Sequence, residues 1–241
     1  MRVREVRVPG LPPELDGLRI AHLSDFHLGV PSRGARAVAK AASWVAERRP
    51  DIVTVTGDLL SRPRGEAELR AVIAKLPNPY IVLGNHDYAI SRDPFSQRVE
   101  LTNLEDATVL FDESRVVSVR GKSVEIAGVD PRTWLLRKRS GFDDRAADFS
   151  ILLCHFPKAL ETVPEGRWDL ILAGHLHAGQ IVLPYGFGKV LLAHPRARYP
   201  EGIFERAGTV MHVSPGLGTT FVPFRFFARP EATELVLRCT G

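Results

Sequence analysis

The chain has 241 residues, of which 44% are hydrophobic and 25% charged, and its formal net charge is +4. These totals are typical of a soluble globular protein with a large core, and the small positive excess permits anionic partners without singling one out. No apolar run approaches the roughly 18 residues that a membrane-spanning helix needs, and the N-terminus lacks an apolar signal segment, so we expect a cytoplasmic protein. Two cysteines argue against a disulfide framework.

The first half of the chain alternates between strand-like and helical patterns. Strand-like runs begin at Arg19, Asp51 and Tyr80, and helical periodicity covers Ser32 to Arg49 and Gly65 to Leu76. Such alternation is typical of a layered α/β fold, in which ligands lie beyond the carboxyl ends of the strands.

The second half is richer in strands. A weaker helical pattern from Asp93 to Leu104 leads into it, and we expect antiparallel strands to be added there. Without a linker or repeat, the simplest organisation is a single domain over residues 1–241, with core motifs in 19–180 and C-terminal strands in 181–241. Four further strand-like runs begin at Ser123, Ser150, Leu170 and Thr209.

Polar side chains directly follow most of these strand-like runs. Because strand ends in an α/β sheet meet along one edge, we expect these side chains to come together there. Carboxylates, imidazoles and one amide suit Mn, Fe, Zn or Mg rather than a metal that prefers thiolates, and the set is large enough for two ions. The residues are Asp25, His27, Asp58, Asn85, His86, Asp87, His155, His175 and His177.

Two of the motifs, D-x-H and H-x-H, place candidate ligands two residues apart. On backbone that is still extended past a strand, such residues point the same way, whereas on a helix they would diverge. A single histidine is as readily a core or capping residue as a ligand, and the histidines outside these clusters are expected in structural roles. They are His22, His194 and His212.

In this order the clusters resemble the motif set of the calcineurin-like metallophosphoesterases, D-x-H, G-D, G-N-H-D, H and G-H-x-H. The set is complete and spans about Arg19 to Gln180. The stretches "GLRIAHLSDFHLG", "GHLHAGQIVLP" and "VSPGLGTTFVPFRFFARPE" resemble the YkuE/YaeI-like branch, although its usual GHTHGGQ reads GHLHAGQ here. The resemblance implies a four-layer α/β/β/α sandwich with a dinuclear metal centre.

Carried over position by position, the resemblance assigns ligands to two divalent ions, of Mn, Fe or Zn. His86 would stabilise the transition state and protonate the leaving group, and Asp87 would orient its imidazole. Asp58 would bridge the two ions. One ion would be held by Asp25, His27, Asp58 and His177, and the other by Asp58, Asn85, His155 and His175.

The function implied is metal-dependent phosphoester hydrolysis, in which a metal-bridging hydroxide attacks phosphorus in line with the leaving oxygen. We expect a phosphodiesterase acting on a small or lipid-linked phosphoester or pyrophosphate. A phosphomonoesterase or nuclease of the same superfamily, a dinuclear hydrolase of another bond such as an amide, and a catalytically silent binding protein are the alternatives. No stable nucleic-acid partner is expected, because the chain has little spare length for a DNA-binding segment.

Two later segments bear on contact with lipid. "RTWLLRKRS", Arg132 to Ser140, sets apolar residues beside a cationic run, which suits either an anionic membrane surface or a short helix with one buried face. "FVPFRFFARP", Phe221 to Pro230, raises the same choice. We expect the packed helix and a packed strand edge, respectively, with Arg225 as a candidate phosphate contact. Peripheral attachment to an anionic membrane is the open alternative to a wholly cytoplasmic location.

Overall fold

The computed structural model describes residues 1–90, 93–94, 96–97, 101, 104–136, 142, 144–145, 147–185, 188–192 and 195–240. The strands within these ranges are β1 (Arg2–Val8), β2 (Arg19–Leu23), β3 (Ile52–Thr56), β4 (Tyr80–Val82), β5 (Thr108–Val109), β6 (Glu113–Val119), β7 (Lys122–Val129), β8 (Phe149–Cys154), β9 (Leu170–Ala173), β10 (Val182–Tyr185), β11 (Gly188–Leu191), β12 (Gly202–Arg206), β13 (Thr209–Val213) and β14 (Thr233–Cys239). The α-helices are α1 (Gly34–Arg48), α2 (Glu66–Ile73), α3 (Pro131–Leu135) and α4 (Ala159–Thr162).

The strands form two mixed six-stranded sheets and a separate hairpin. The first sheet has the order β1-β14-β2-β3-β4-β5, and the second has the order β12-β13-β9-β8-β7-β6. In the first, β2 to β5 run parallel, and in the second β7, β8, β9 and β13 run parallel. The hairpin pairs β10 with β11. Each sheet therefore has a set of parallel strands whose carboxyl ends lie together.

The two sheets pack face to face, with helices on their outer sides. Ile20 of the first sheet and Ile126 and Ile151 of the second belong to the buried apolar layer between them. Helix α1 covers the outer face of the first sheet through a stripe that includes Val38 and Val45, at the spacing of one helical face. Helix α4 belongs to the third cluster, on the outer face of the second sheet. The predicted α/β/β/α layering is confirmed.

The early helices lie close to where the sequence places them. Helix α1 ends at Arg48, and Arg49 then adopts a left-handed conformation (φ 48°) immediately before Pro50. The longest described helix, α1, has 15 residues, so none of the described helices is long enough to cross a membrane. For the helix predicted from Asp93 to Leu104, half of the residues (95, 98–100 and 102–103) lie outside the described ranges.

The two segments considered for lipid contact differ in outcome. Helix α3 begins the first of them, and its outcome is mixed, because Trp134 packs against the outer cluster of the second sheet whereas Leu135 and Leu136 are exposed. Residues 137–140 lie outside the described ranges. The packed strand edge predicted for Phe221 to Pro230 is wrong. Among the described residues its strand pairing is limited to one β-bridge, between Ile181 and Phe226, and its phenylalanine side chains are exposed.

A buried carboxylate, Glu234, ties the C-terminal strand into the first sheet. Its side chain is 1% exposed and accepts hydrogen bonds from Arg19 Nη2 at 2.8 Å and Arg48 Nη2 at 2.6 Å. Burial acts to raise the pKa of Glu234, but the hydrogen bonds from Arg48 and Arg19 outweigh it and hold the pKa at about 2. The ion pair therefore stabilises the charged carboxylate and links β14 to β2 and to the end of α1.

We expect Glu234→Gln to lower the free energy of unfolding at neutral pH by about 1–3 kcal/mol. Because the folded-state pKa lies below the ordinary value, this stabilisation is complete above about pH 4.5 and is lost as the pH falls towards 2. Urea denaturation across this range measures it, and the difference between variant and parent should shrink in acid.

Glu66→Gln is the matched control, because Glu66 pairs with Arg70 on the surface of α2. We expect this exposed pair to contribute less than about 0.5 kcal/mol. A loss of stability for Glu234→Gln that is no larger than the control, or that stays constant in acid, would contradict the role given to Glu234.

Candidate metal centre

The polar residues singled out in the sequence follow the carboxyl ends of strands in both sheets. Asp25 comes two residues after β2, Asp58 two residues after β3, and Asn85 three residues after β4. From the second sheet, His155 directly follows β8, and His175 follows β9 by two residues. Since these strands are parallel within their sheets, the two sheets deliver their side chains to one shared edge.

The first group of side chains consists of two carboxylates and two imidazoles, all buried. One ligand atom from each of Asp25, His27, Asp58 and His177 lies within 4.8 Å of the others. His27 Nε2 is 3.0 Å from His177 Nε2 and 3.5 Å from Asp58 Oδ2. His177 Nε2 is 3.4 Å from Asp25 Oδ1. Mixed oxygen and imidazole donors at this spacing suit a divalent cation.

A second group shares Asp58 with the first. Asp58, His155 and His175 also offer ligand atoms within 4.8 Å of one another. His155 Nε2 lies 3.2 Å from Asp58 Oδ2, and His175 Nδ1 lies 3.2 Å from His155 Nε2. Two adjoining groups with one common carboxylate are the arrangement expected for two neighbouring ions with Asp58 between them.

Asn85 adds an oxygen that has no hydrogen-bond partner in the part of the chain that the structure describes. Its Nδ2 donates to Ile90 O at 3.1 Å, which fixes the amide, and its buried Oδ1 is left unsatisfied. A buried acceptor without a partner costs about 1–3 kcal/mol. A cation would supply that partner, so the residues present fit the two divalent ions that the sequence implies.

The backbone at these positions differs from the extended conformation that the sequence analysis assumed. Asp25, His27, His175 and His177 all have positive φ, between 47° and 78°. Such left-handed residues cost roughly 1–2 kcal/mol each and are typical of functional sites. Asp25 and His27 still join one group, but His175 and His177 turn to different groups. The prediction that extended backbone points the two residues of each motif the same way is therefore wrong.

Glycines beside the ligands leave room for the carboxylates. A Cβ on Gly84 would collide with Asp58 Oδ1, and a Cβ on Gly174 would collide with Ser24 Oγ and Asp25 Oδ2. The glycines of the G-N-H-D and G-H-x-H motifs thus allow two strand ends to approach the metal centre at van der Waals distance.

Contacts on the far side of each imidazole were not predicted from the sequence. His155 Nδ1 donates to Thr56 O at 2.8 Å, and His27 Nδ1 lies 3.0 Å from Ser61 Oγ. These contacts leave Nε2 of both rings directed at the two groups of candidate metal ligands. Thr56 takes part through its backbone carbonyl, so the identity of its side chain could not have indicated this contact in the sequence. Ser61 lies three residues after the motif aspartate, and that proximity is the only clue to its role.

Arg225, predicted from the sequence as a candidate phosphate contact, lies behind a candidate metal ligand. Its Nη2 donates to His177 Nδ1 at 2.9 Å, and its other nitrogens donate to the carbonyls of His177, Pro215 and Gly218. Because Nδ1 of His177 accepts this bond, the proton of the neutral ring lies on Nε2. A cation at Nε2 therefore requires Arg225 to shift or the ring to turn over.

His86 and Asp87 take different positions. The His86 ring packs edge-on against His27 with 4.7 Å between centroids, and its backbone N–H donates to Asp58 Oδ1 at 2.9 Å. Asp93 Oδ2 lies 3.9 Å from His86 Nδ1. Both oxygens of Asp87 instead accept backbone N–H groups, from Leu59, Leu60 and Gly84 at 2.8–2.9 Å. Asp87 thus braces two loops, which differs from the orienting role expected for it.

Most of the candidate ligands are buried titratable groups, and burial shifts their pKa values. Burial raises the pKa of Asp25 to about 6 and the pKa of Asp87 to about 7. Burial acts to raise the pKa of Asp58 too, but nearby His155 and His86 bring it well below the ordinary value. Burial acts to lower the pKa of His155, yet Asp58 raises it to about 9. Carboxylates that are costly to ionise without a counter-charge would be stabilised by divalent ions.

The histidines expected in structural roles lie outside both groups where the structure describes them. His22 and His212 are buried, with 2.7 Å between their Nδ1 atoms, and His22 Nε2 lies 2.8 Å from Thr56 Oγ1. Burial lowers the pKa of His212 to about 3, so this pair is neutral. His194 lies outside the described residues.

We expect Gly84→Ala to weaken metal binding by about 10- to 100-fold, because the added methyl group displaces Asp58 from both ligand groups. Metal content after dialysis, measured by inductively coupled plasma mass spectrometry, is the readout, and circular dichroism checks the fold. Gly188→Ala is the matched control, since the nearest atom to its added Cβ would be Tyr185 O at 3.7 Å. A folded Gly84→Ala protein with unchanged metal content would contradict the assignment of Asp58.

Comparison with known proteins identifies the family. The model of the calcineurin-like phosphoesterase family matches residues 18–179. The chain is 31% identical over 240 residues to "Uncharacterized metallophosphoesterase YkuE" of Bacillus subtilis (strain 168), covering 96% of this chain and 82% of that protein. It is 30% identical over 253 residues to "Transmembrane protein with metallophosphoesterase domain" of Danio rerio, covering 97% of this chain and 56% of that protein. It is 24% identical over 226 residues to "Phosphodiesterase YaeI" of Escherichia coli (strain K12), covering 91% of this chain and 82% of that protein. The chain thus belongs to the calcineurin-like phosphoesterases and is a metal-dependent phosphoric ester hydrolase.

Proposed function

We propose that this enzyme is a phosphodiesterase that uses two divalent cations to hydrolyse a small or lipid-linked phosphodiester or pyrophosphate. The observation that carries the proposal is the sharing of Asp58 between two adjoining ligand groups. The unsatisfied Oδ1 of Asn85 supports it from a residue outside those groups. The first ion would be held by Asp25, His27, Asp58 and His177, and the second by Asp58, Asn85, His155 and His175.

When bound, two divalent cations lower the pKa of a water molecule and neutralise charge that builds up on the phosphoryl oxygens. Asp58 and the imidazoles around it would hold the cations and so determine the position at which the charge on the phosphoryl oxygens is neutralised. Cys154, next to His155 in sequence, does not join them, because its thiol lies in the outer core of the second sheet and burial raises its pKa to about 12. The donors are then oxygen and imidazole nitrogen, which suits Mn, Fe or Zn.

His86 is the proposed acid of the reaction. Neither ligand group includes it, yet its ring lies against His27 and its backbone N–H binds Asp58. From that position its imidazole would donate to a phosphoryl oxygen or to the leaving oxygen. Asp93, close to His86 Nδ1, would hold the ring orientation. Asp87 would act indirectly, by holding the loops after β3 and β4 together.

One observation favours a diester over a monoester. A relative of this chain is named a phosphodiesterase. A lipid-linked substrate is supported by the exposed aromatic segment that contains Arg225.

The substrate class is tested by hydrolysis of bis-p-nitrophenyl phosphate beside p-nitrophenyl phosphate, after reconstitution with Mn, Fe, Zn or Co separately. We expect the diester to be cleaved faster, with a higher kcat/KM. Faster cleavage of the monoester would favour a phosphomonoesterase, and preferential cleavage of a single-stranded oligonucleotide would favour a nuclease. Lack of hydrolysis of every substrate with every metal would contradict the proposal.

We expect His86→Ala to lower kcat by about 10²–10⁴-fold while metal content stays close to that of the parent, because the imidazole acts on the substrate rather than on an ion. Metal analysis and diester hydrolysis on the same samples measure both effects. Asp58→Asn is the comparison, and it should lose metal and activity together. If His86→Ala loses metal instead, His86 is a ligand and the division of roles is wrong.

A further inference from the structure

Exposed apolar side chains are concentrated in two segments of the structure. The segments are the hairpin β10-β11 with the residue that follows it, and the loop 221–227. Single exposed apolar residues are normal on a protein surface, but a cluster of them indicates a contact surface. Eight of the sixteen exposed large hydrophobic residues in the described ranges belong to these segments and are between 42% and 79% exposed. They are Leu183, Tyr185, Val190, Leu192, Phe221, Phe224, Phe226 and Phe227.

The hairpin directs its exposed side chains to one face. Leu183 pairs directly with Val190, and Tyr185 lies two residues further along the same strand, so all three share a face. The opposite face is different, because Val182 and Leu191 pack with Ala178 and Ala228 in a small buried cluster. The hairpin is thus apolar on both sides, although only one side is covered.

The loop 221–227 is attached to this hairpin by backbone hydrogen bonds. Val182 N donates to Phe226 O, and Phe226 N donates to Gln180 O, both at 2.9 Å. Phe226 bridges Ile181, whose position in the strand alternation matches that of Leu183. The ring of Phe226 therefore continues the exposed face of the hairpin, and Phe227 packs edge-on against it at 4.7 Å.

This surface adjoins the metal centre. Arg225, between two of the exposed phenylalanines, donates to Nδ1 of the candidate ligand His177. Gln180, three residues after His177, donates to Thr220 O at 2.6 Å and to Val222 O at 3.1 Å. The loop that carries the aromatic side chains is therefore fixed to the loop that carries a candidate metal ligand.

The charge pattern of the surrounding chain indicates the kind of partner. Residues 181–200 and 214–230 contain five Lys and Arg residues and no Asp or Glu, and Glu201 and Glu231 directly follow these ranges. Arg196, Arg198 and Arg229 are exposed, and Arg198 pairs with Glu161 at 3.1 Å. A second copy of the chain would bring like charges together in a two-fold interface. Exposed aromatic and aliphatic side chains in segments with an excess of cations are instead typical of proteins that bind anionic lipid surfaces.

We propose that the hairpin β10-β11 and the loop 221–227 form a membrane-docking surface, the aromatic platform, which seats the enzyme on an anionic lipid bilayer with the metal centre beside it. The platform would insert its phenylalanine and tyrosine rings at the level of the lipid headgroups. This inference concerns binding alone, so it is tested without catalysis and does not depend on which phosphoester is cleaved.

The test is sedimentation of the 241-residue chain with sucrose-loaded vesicles. One set consists of phosphatidylcholine, and the other of phosphatidylcholine and phosphatidylglycerol in roughly a 2:1 ratio. We expect binding to the anionic vesicles that weakens as salt is added, because the cations contribute. The double variant Phe224→Ser/Phe227→Ser should reduce the partition coefficient by about 10- to 100-fold, since both rings are largely exposed in the free protein.

Phe111→Ser is the matched control, because Phe111 is an exposed phenylalanine outside both segments. It should bind the anionic vesicles as the parent does, and thermal unfolding should show that all variants are folded. A parent protein that does not sediment with anionic vesicles, or a platform variant that sediments equally well, would overturn the proposal. Analytical ultracentrifugation adds a third outcome, because a parent dimer that the platform variant dissociates would assign the surface to a second copy of the chain.

Discussion

The rest of the site depends on the contacts that hold the buried carboxylate of Asp58. One of its oxygens accepts the backbone N–H of His86, and the other lies between His27, from the first sheet, and His155, from the second. Moving a carboxylate out of water costs several kcal/mol unless charges and hydrogen bonds replace the solvent. Gly84 approaches this side chain more closely than any larger residue could. This close approach is one condition for protein groups to replace the solvent around the carboxylate.

Because the candidate ligands come from both sheets, the apolar layer between the sheets also sets the geometry of the candidate metal centre. Ile20 of β2 and Ile151 of β8 pack in this layer, and each belongs to a strand that ends near a candidate ligand. A displacement of about 1 Å at a reacting centre can cost about 100-fold in rate. Packing between the sheets therefore serves stability and catalysis together, and a cavity in this layer would affect both.

The fold class and the set of side chains at the site could be predicted from the sequence, because both depend on local features. Apolar runs followed directly by polar residues define parallel strand ends, and these meet in any α/β sheet. The backbone conformations could not be predicted. Asp25 N donates to Gly57 O and His27 N to Asp58 O, so the turn after β2 is shaped by residues about 30 positions away. Two of the partners of Asp87, the backbone N–H groups of Leu59 and Leu60, lie on another loop, and the position of Asp87 beside His86 in the sequence gives no indication of them.

The loop 221–227 shows why a pattern of phenylalanines does not determine which side of a segment is covered. Regular spacing of apolar residues suits a strand with one buried face, but here the half-buried Arg225 takes the inner position and donates to His177 and to nearby carbonyls. Phe224 and Phe226 on either side of it are exposed. Burial of one phenylalanine side chain stabilises a protein by about 1.5–3 kcal/mol, and these rings forgo that stabilisation in water. An arginine held behind a candidate metal ligand thus leaves its aromatic neighbours outside, where an apolar phase such as a lipid surface would accept them.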